Sequence, residues 1–121
     1  MSKTIDYEFK RGDTFPLKKF RPTNAEGTPL TLTVADELYF TMKKTELGEA
    51  LVKKTINNGI TLGDDGYYHI VMETEDTRDL DAGGYVYDIE LQIHSSERNL
   101  VKTIIDGQIE LLQDVTNRRD Y

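Results

Sequence analysis

The stretch Leu80–His94, LDAGGYVYDIELQIH, decides the fold. Its opening, Leu80-x-x-Gly83-x-Tyr85, has the spacing of a tyrosine corner, in which a Tyr near the start of a strand bonds back across the connection that feeds it. Tyr85, Tyr87, Ile89, Leu91 and Ile93 then alternate with Val86, Asp88, Glu90, Gln92 and His94. Period two sustained over that length predicts a strand with one buried face. The first set is the expected core and the second the expected outer face.

Working outward, the same alternation recurs. Ile5, Tyr7 and Phe9 alternate with charged residues, and so do Leu38, Phe40 and Met42 with Glu37, Tyr39 and Thr41. Tyr68, Ile70 and Met72 form a further inward set. Past Asn99, Val101, Thr103, Ile105, Ile109 and Leu111 share one parity, with Gly107 marking a bulge or a close backbone approach. Asn57-Asn58-Gly59 is read as the tight turn of a hairpin, because Asn-Gly supplies the positive φ of a type I′ turn. Thr74–Leu80 is the one helical segment, capped by Thr74. These patterns predict strands over 4–10, 14–21, 36–43, 50–62 as a hairpin, 66–73, 84–94 and 100–112. The expected fold is all-β: an immunoglobulin-like antiparallel sandwich of seven to eight strands, with a short helical turn before the 84–94 strand. Residues 1–116 make a single domain and 117–121 a polar tail, matching a chain of 121 residues with one core.

Composition narrows function. With 22 acidic and 15 basic residues the formal charge is −7, a field that repels phosphate backbones and anionic membranes. The absence of cysteine removes disulfides, thiolate nucleophiles and Cys-based metal sites. Residues 1–11 hold no apolar run of signal-peptide length and no segment reaches membrane-spanning length, so a soluble cytosolic product is expected.

No motif carries catalysis, and no catalytic, cofactor-binding or metal-ligating residue is assigned. Arg11-Gly12-Asp13 spells an adhesive tripeptide but sits where two strands need a turn, so it is read as turn chemistry. Glu73, Glu75, Asp76, Asp79 and Asp81 lack the spacing of a calcium loop. His69 and His94 fall on outer faces without a second ligand at diagnostic spacing. Ser2, Ser95 and Ser96 have no nucleophile elbow around them. The candidate interface comes from apolar residues at outward positions. If the 36–43, 84–94 and 100–112 strands share a sheet, its wet face carries Tyr39, Val86 and Ile104, with Leu100 and Leu112 towards the ends. Such a row marks a partner-binding sheet.

The segment from Asp76-Thr77 through Leu80, Gly83, Gly84 and Tyr85 to Leu91, with Lys102–Gly107 and Asp114-Val115-Thr116, resembles small structural proteins of tailed phages and prophages. It is similar to the N-terminal domain of the phage upper baseplate protein family. Arg11–Thr14 and Gly27–Leu32 resemble that family's early strand and its Asp-Gly-x-Pro-hydrophobic stretch. The resemblance implies a non-enzymatic virion component, of tail, baseplate or neck, made as a soluble protein in the bacterial cytoplasm. It would act through contacts with virion proteins or with copies of itself, without nucleic acid, membrane or cofactor. The rival expectation is a carbohydrate- or surface-binding module using Tyr39 and Tyr67, which the absence of Trp weakens.

Overall fold

A computed structural model describes residues 3–23, 26–30, 32–33, 36–94 and 99–115. The tail 117–121, Thr116, the serines Ser2, Ser95 and Ser96, and residues 31 and 34–35 lie outside the described residues. The strands are β1 (Lys3–Thr4), β2 (Tyr7–Lys10), β3 (Phe15–Pro16), β4 (Glu37–Lys43), β5 (Ala50–Ile56), β6 (Gly59–Leu62), β7 (Tyr68–Met72), β8 (Gly83–His94) and β9 (Asn99–Leu112). One helical turn, α1 (Thr74–Thr77), precedes β8. The protein is all-β, and its strands form a curled, mixed, half-barrel sheet. Strand order is β1-β9-β8-β4-β5-β6-β7-β3, with β2 also paired to β9, which makes nine strands where seven or eight were expected.

The alternation in β8 does what its period requires. Tyr85, Tyr87, Ile89 and Leu91 are buried, and Ile93 packs partly buried against the core. Leu38, Phe40 and Met42 from β4, Ile60 from β6 and Met72 from β7 are completely shut off from solvent. Curling brings the two ends of the sheet face to face, so that Phe9 on β2 stacks on Phe15 on β3 at 4.5 Å. Phe40 stacks on Tyr87 at 5.6 Å in the centre.

Four expectations need correction. The first concerns 50–62, which is not a hairpin. Thr55 and Asn58 exchange both main-chain bonds, at 2.9 and 3.0 Å, around Asn57 at φ 66°. Asn57 N–H then donates to Ile60 O at 2.8 Å, and β6 runs parallel to β5 at Thr55–Gly59 and Ile56–Ile60. The reason lies in β7, whose ladder β6 supplies through Ile60–Ile70 and Leu62–Tyr68. Beneath the corner, the Lys54 stem would lie 2.7 Å from a Cβ on Gly59, and its Nζ meets Asp76 at 2.8 Å.

The second concerns the two terminal strands. Both β1 and β2 run parallel to β9 in one register, Lys3 on Ile105 and Tyr7 on Ile109. They are one strand bent outward at Ile5–Asp6. Gly107 marks the close approach that causes the bend: a Cβ there would fall 2.1 Å from Ile5 O. That carbonyl accepts the Tyr87 hydroxyl at 2.5 Å, and Asp6 Oδ1 accepts Gln108 N–H at 2.9 Å. The actual bulge in β9 lies earlier. Ile89 pairs with Ile105 but Glu90 with Thr103, so Ile104 is the extra residue. Inserting one residue reverses the parity. Val101 is therefore 61 % exposed instead of inward, and Leu100 lies opposite Ile93. Ile104, expected on the wet face, packs against the core.

The third concerns α1, whose N-cap is Glu73 and not Thr74; the Asp76 carboxylate accepts Glu73 N–H at 2.8 Å. The fourth concerns 14–21, where only Phe15–Pro16 forms a regular pair with β7. Pro16 has no N–H to extend that ladder; beyond it Leu17 N–H reaches Ile70 O and Phe20 bridges to Tyr68.

One end of the sheet is fastened by charge. Arg11 meets Asp114 through Nη2 at 2.7 Å and Nε at 2.9 Å, with side-chain exposures of 8 % and 0 %. Its Nη1 donates to Leu80 O at 3.2 Å, and Gly12 N–H donates to Thr77 Oγ1 at 2.8 Å. A tripeptide whose arginine is buried in an ion pair offers nothing to an adhesion receptor.

Two substitutions test these constraints by urea denaturation. Gly107→Ala should lose roughly 1–3 kcal/mol or more through overpacking against backbone, whereas Gly84→Ala, with Glu110 Oε1 at 3.6 Å as the nearest neighbour of its Cβ, should be nearly silent. Asp114→Ala should lose about 3–5 kcal/mol, because it strands a buried guanidinium. A midpoint unchanged by either would remove that constraint from the account.

Candidate functional site

The outward parity of three adjacent strands builds the candidate surface. β8 contributes Val86, Asp88 and Glu90, β4 contributes Thr41 and Lys43, and β9 contributes Thr103, Asp106 and Gln108. Bending of the N-terminal strand over Gly107 raises Thr4 and Asp6 along one side, and Glu46 stands on the other. The result is an open trough of about 800 Å³. It continues past Asp6, Val86 and Gln108 towards Glu8, Glu110 and Lys44. Lys44 Nζ is held there by Gly84 O at 3.0 Å and lies 4.5 Å from the centre of the Tyr85 ring.

The corner that aims β8 into this surface is built from Leu80, Gly83 and Tyr85. Leu80 packs partly buried against the core, Gly83 takes φ 139°, and the Tyr85 hydroxyl donates to Asp81 O at 2.6 Å. That bond returns across the connection as a tyrosine corner does.

The trough is acidic. Asp88 lies directly opposite Asp106 in the ladder, a like-charge pair that the sheet holds in place. Thr4 Oγ1 donates to Asp106 at 2.8 Å and relieves part of this repulsion. Desolvation first, then the charges of Glu90 and Asp106, push the Asp88 carboxyl above its ordinary range, while Lys43 pulls it down. Under the trough floor, burial raises the Tyr87 phenol far above the usual tyrosine value, helped by Tyr7, Asp6 and Asp106.

The three residues expected to form an apolar row do not meet. Tyr39 is half-buried opposite Glu90 and Thr55, and its hydroxyl titrates high because it bonds Glu37. Val86 is half-buried on the trough floor, opposite Gln108 and Lys43. Along β4, Tyr39 and Lys43 are four residues apart, roughly 13 Å at strand rise. Ile104 is turned away by its bulge. Tyr39, Val86 and Ile104 therefore do not form one row, and the trough around Val86 is lined mainly by polar and charged groups.

Other singled-out residues are engaged locally. His69 Nε2 lies 3.2 Å from Asp65, and His94 Nε2 lies 3.3 Å from Glu37. Asp65 sits well below the usual carboxylate range because Tyr67 N–H, then His69 and Lys19, bond it. The Tyr67 ring carries Lys19 at 4.7 Å and Arg21 at 4.4 Å. Of the acidic set around α1, Asp76 caps the turn and pairs with the buried Lys54. Among the described residues, no group of three or more His, Asp or Glu is placed to hold a metal ion, and no helix is long and apolar enough to cross a membrane.

Sequence reading missed Arg11–Asp114 and Lys54–Asp76, which join positions far apart in the chain. Only the inward parity of Lys54, between Val52 and Ile56, signalled a buried charge. Compared with known proteins, the chain matches no protein-family model and no curated protein.

The raised Asp88 carboxyl has a pH consequence. A carboxyl whose folded value exceeds its unfolded one binds its proton more tightly when folded, so stability falls as pH rises between those two values. Asp88→Asn should therefore stabilise the protein at pH 7, and the gain should vanish below the unfolded Asp value of about 3.9. Thermal melts across that range check it; a gain that persists undiminished at pH 3 would contradict the assignment.

Proposed function

We propose that this chain is a non-enzymatic structural or assembly protein of a tailed-phage or prophage virion, a tail, baseplate or neck component that works through protein–protein contacts. The observation that carries this reading is the trough across β4, β8 and β9. Small-molecule sites are enclosed and mostly apolar. This surface is open along its length and polar, which suits a surface laid against another protein. Its acid excess favours a partner presenting Lys and Arg, since complementary charge sets both encounter rate and register.

The same reading takes the curled sheet as an immunoglobulin-like sandwich. One wall would be β2-β9-β8-β4-β5 and the other β6-β7-β3, and the chain crosses between walls at the β5–β6 corner and at the Arg11–Thr14 turn. Parallel pairing of the first and last strands and the Tyr85–Asp81 bond support it. The segments that resemble the baseplate family, Asp76–Leu91 and Lys102–Gly107, supply α1, the corner and the β8–β9 floor of the trough.

Co-expression with the products of the neighbouring reading frames, which the proposal expects to be tail, baseplate or neck proteins, tests it. A defined partner should co-purify at low salt and be lost as ionic strength rises, and Asp88→Lys should weaken its retention. If none of those proteins is retained and the isolated chain instead binds on a glycan array, the carbohydrate-binding alternative replaces this reading.

A further inference from the structure

We propose that the outer edge of β5, from Glu49 to Lys53, is a contact surface for a second copy of this chain, met antiparallel about a two-fold axis through Leu51. β5 is paired along one side with β4. On its other side it meets β6 only at Thr55 and Ile56, so Ala50–Lys54 forms an open edge among the described residues. An open edge presents unpaired main-chain donors and acceptors, and proteins commonly blunt or cover it.

This edge carries a bulge and Lys53, and beside them it displays leucine. Met42 pairs with Val52 but Lys43 with Ala50, which makes Leu51 the extra residue of a bulge. Bulges re-aim side chains, and here Leu51 is left 44 % exposed. Four residues earlier, in the loop that feeds the same edge, Leu47 is 100 % exposed. Two leucines held in water so close together gain free energy when covered.

Charge identifies the cover. Glu49 and Lys53 flank Leu51 at equal spacing, both are exposed, and neither forms an ion pair among the described residues. A two-fold contact is self-complementary by construction. Two antiparallel copies centred on Leu51 set each Glu49 opposite Lys53 of the partner subunit and place the leucines together at the axis. Opposite charges directly across a strand pair attract. Like charges would face each other in a parallel arrangement, so the sequence selects the antiparallel one. A two-fold pair is closed and leaves no free β5 edge to propagate.

This inference deepens the assembly reading and rests on it, naming a second copy as one partner. Sedimentation velocity on the full chain over a wide concentration range tests it. The wild type should dimerise reversibly. Lys53→Glu and Glu49→Lys should each weaken dimerisation at least about tenfold, since each turns two attractive pairs into repulsive ones. An equimolar mixture of the two variants should dimerise like the wild type, because every Glu then faces a Lys across the axis. Circular dichroism on each variant verifies that the fold is kept. A wild type that stays monomeric throughout, or a dimer indifferent to both variants, overturns the inference, as does a mixture that fails to restore it. Retention of a neighbouring virion protein by such a monomer would leave the assembly reading standing without this edge.

Discussion

Arg11 spends three of its donors in a space closed to water: two on the Asp114 carboxylate and one on the Leu80 carbonyl. Removing two charges from water is costly, and such a pair is better evidence of specificity than of net stability. What it specifies here is where three distant segments meet. Arg11 follows β2, Asp114 follows β9, and Leu80 enters the corner before β8. With Gly12 held by Thr77, the pair sets the end of the parallel β2–β9 ladder and the point at which the chain crosses to β3. The Phe9–Phe15 stack that closes the open side of the curled sheet depends on that crossing.

A second constraint shapes the surface. Gly107 lets Ile5 come close enough for its carbonyl to take the Tyr87 hydroxyl. The N-terminal strand bows out there, and Asp6 replaces the missing ladder partner of Gln108. This raises one bank of the trough. The Ile104 bulge acts on the same strand with the opposite effect, drawing an apolar residue inward and sending Val101 out. Together they convert what reads as an apolar row into an acidic channel in which Asp88 holds its proton more tightly than an ordinary aspartate. Leu51, by contrast, is exposed at the edge of β5, with Leu47 in the loop that feeds it.

Much of the local structure was legible. Period-two alternation located β4, β7, β8 and the inward residues Leu38, Phe40, Met42, Tyr68, Ile70 and Met72, because burial on one face of a pleated strand leaves that mark in any sequence. The Leu80-x-x-Gly83-x-Tyr85 spacing pointed to the bond the Tyr85 hydroxyl makes. Alternation fails wherever one residue is inserted, since a bulge exchanges the two faces without changing composition. That is why Ile104 was read as outward and Val101 as inward.

By itself, then, the sequence determined an all-β chain, the approximate extent of its main strands, the corner before β8 and an acidic exterior, all of which follow from local periodicity and composition. Tertiary structure alone decided that β6 runs beside β5 and not back along it, because β7 needed a partner. It also decided that Arg11 is buried and that Asp88 faces Asp106. Arg11 meets Asp114 and Asp88 meets Asp106 across long stretches of chain, and the β5–β6 corner answers to β7 further along; such contacts are settled by which groups can share a dry interior or a strand ladder, and no local pattern encodes that.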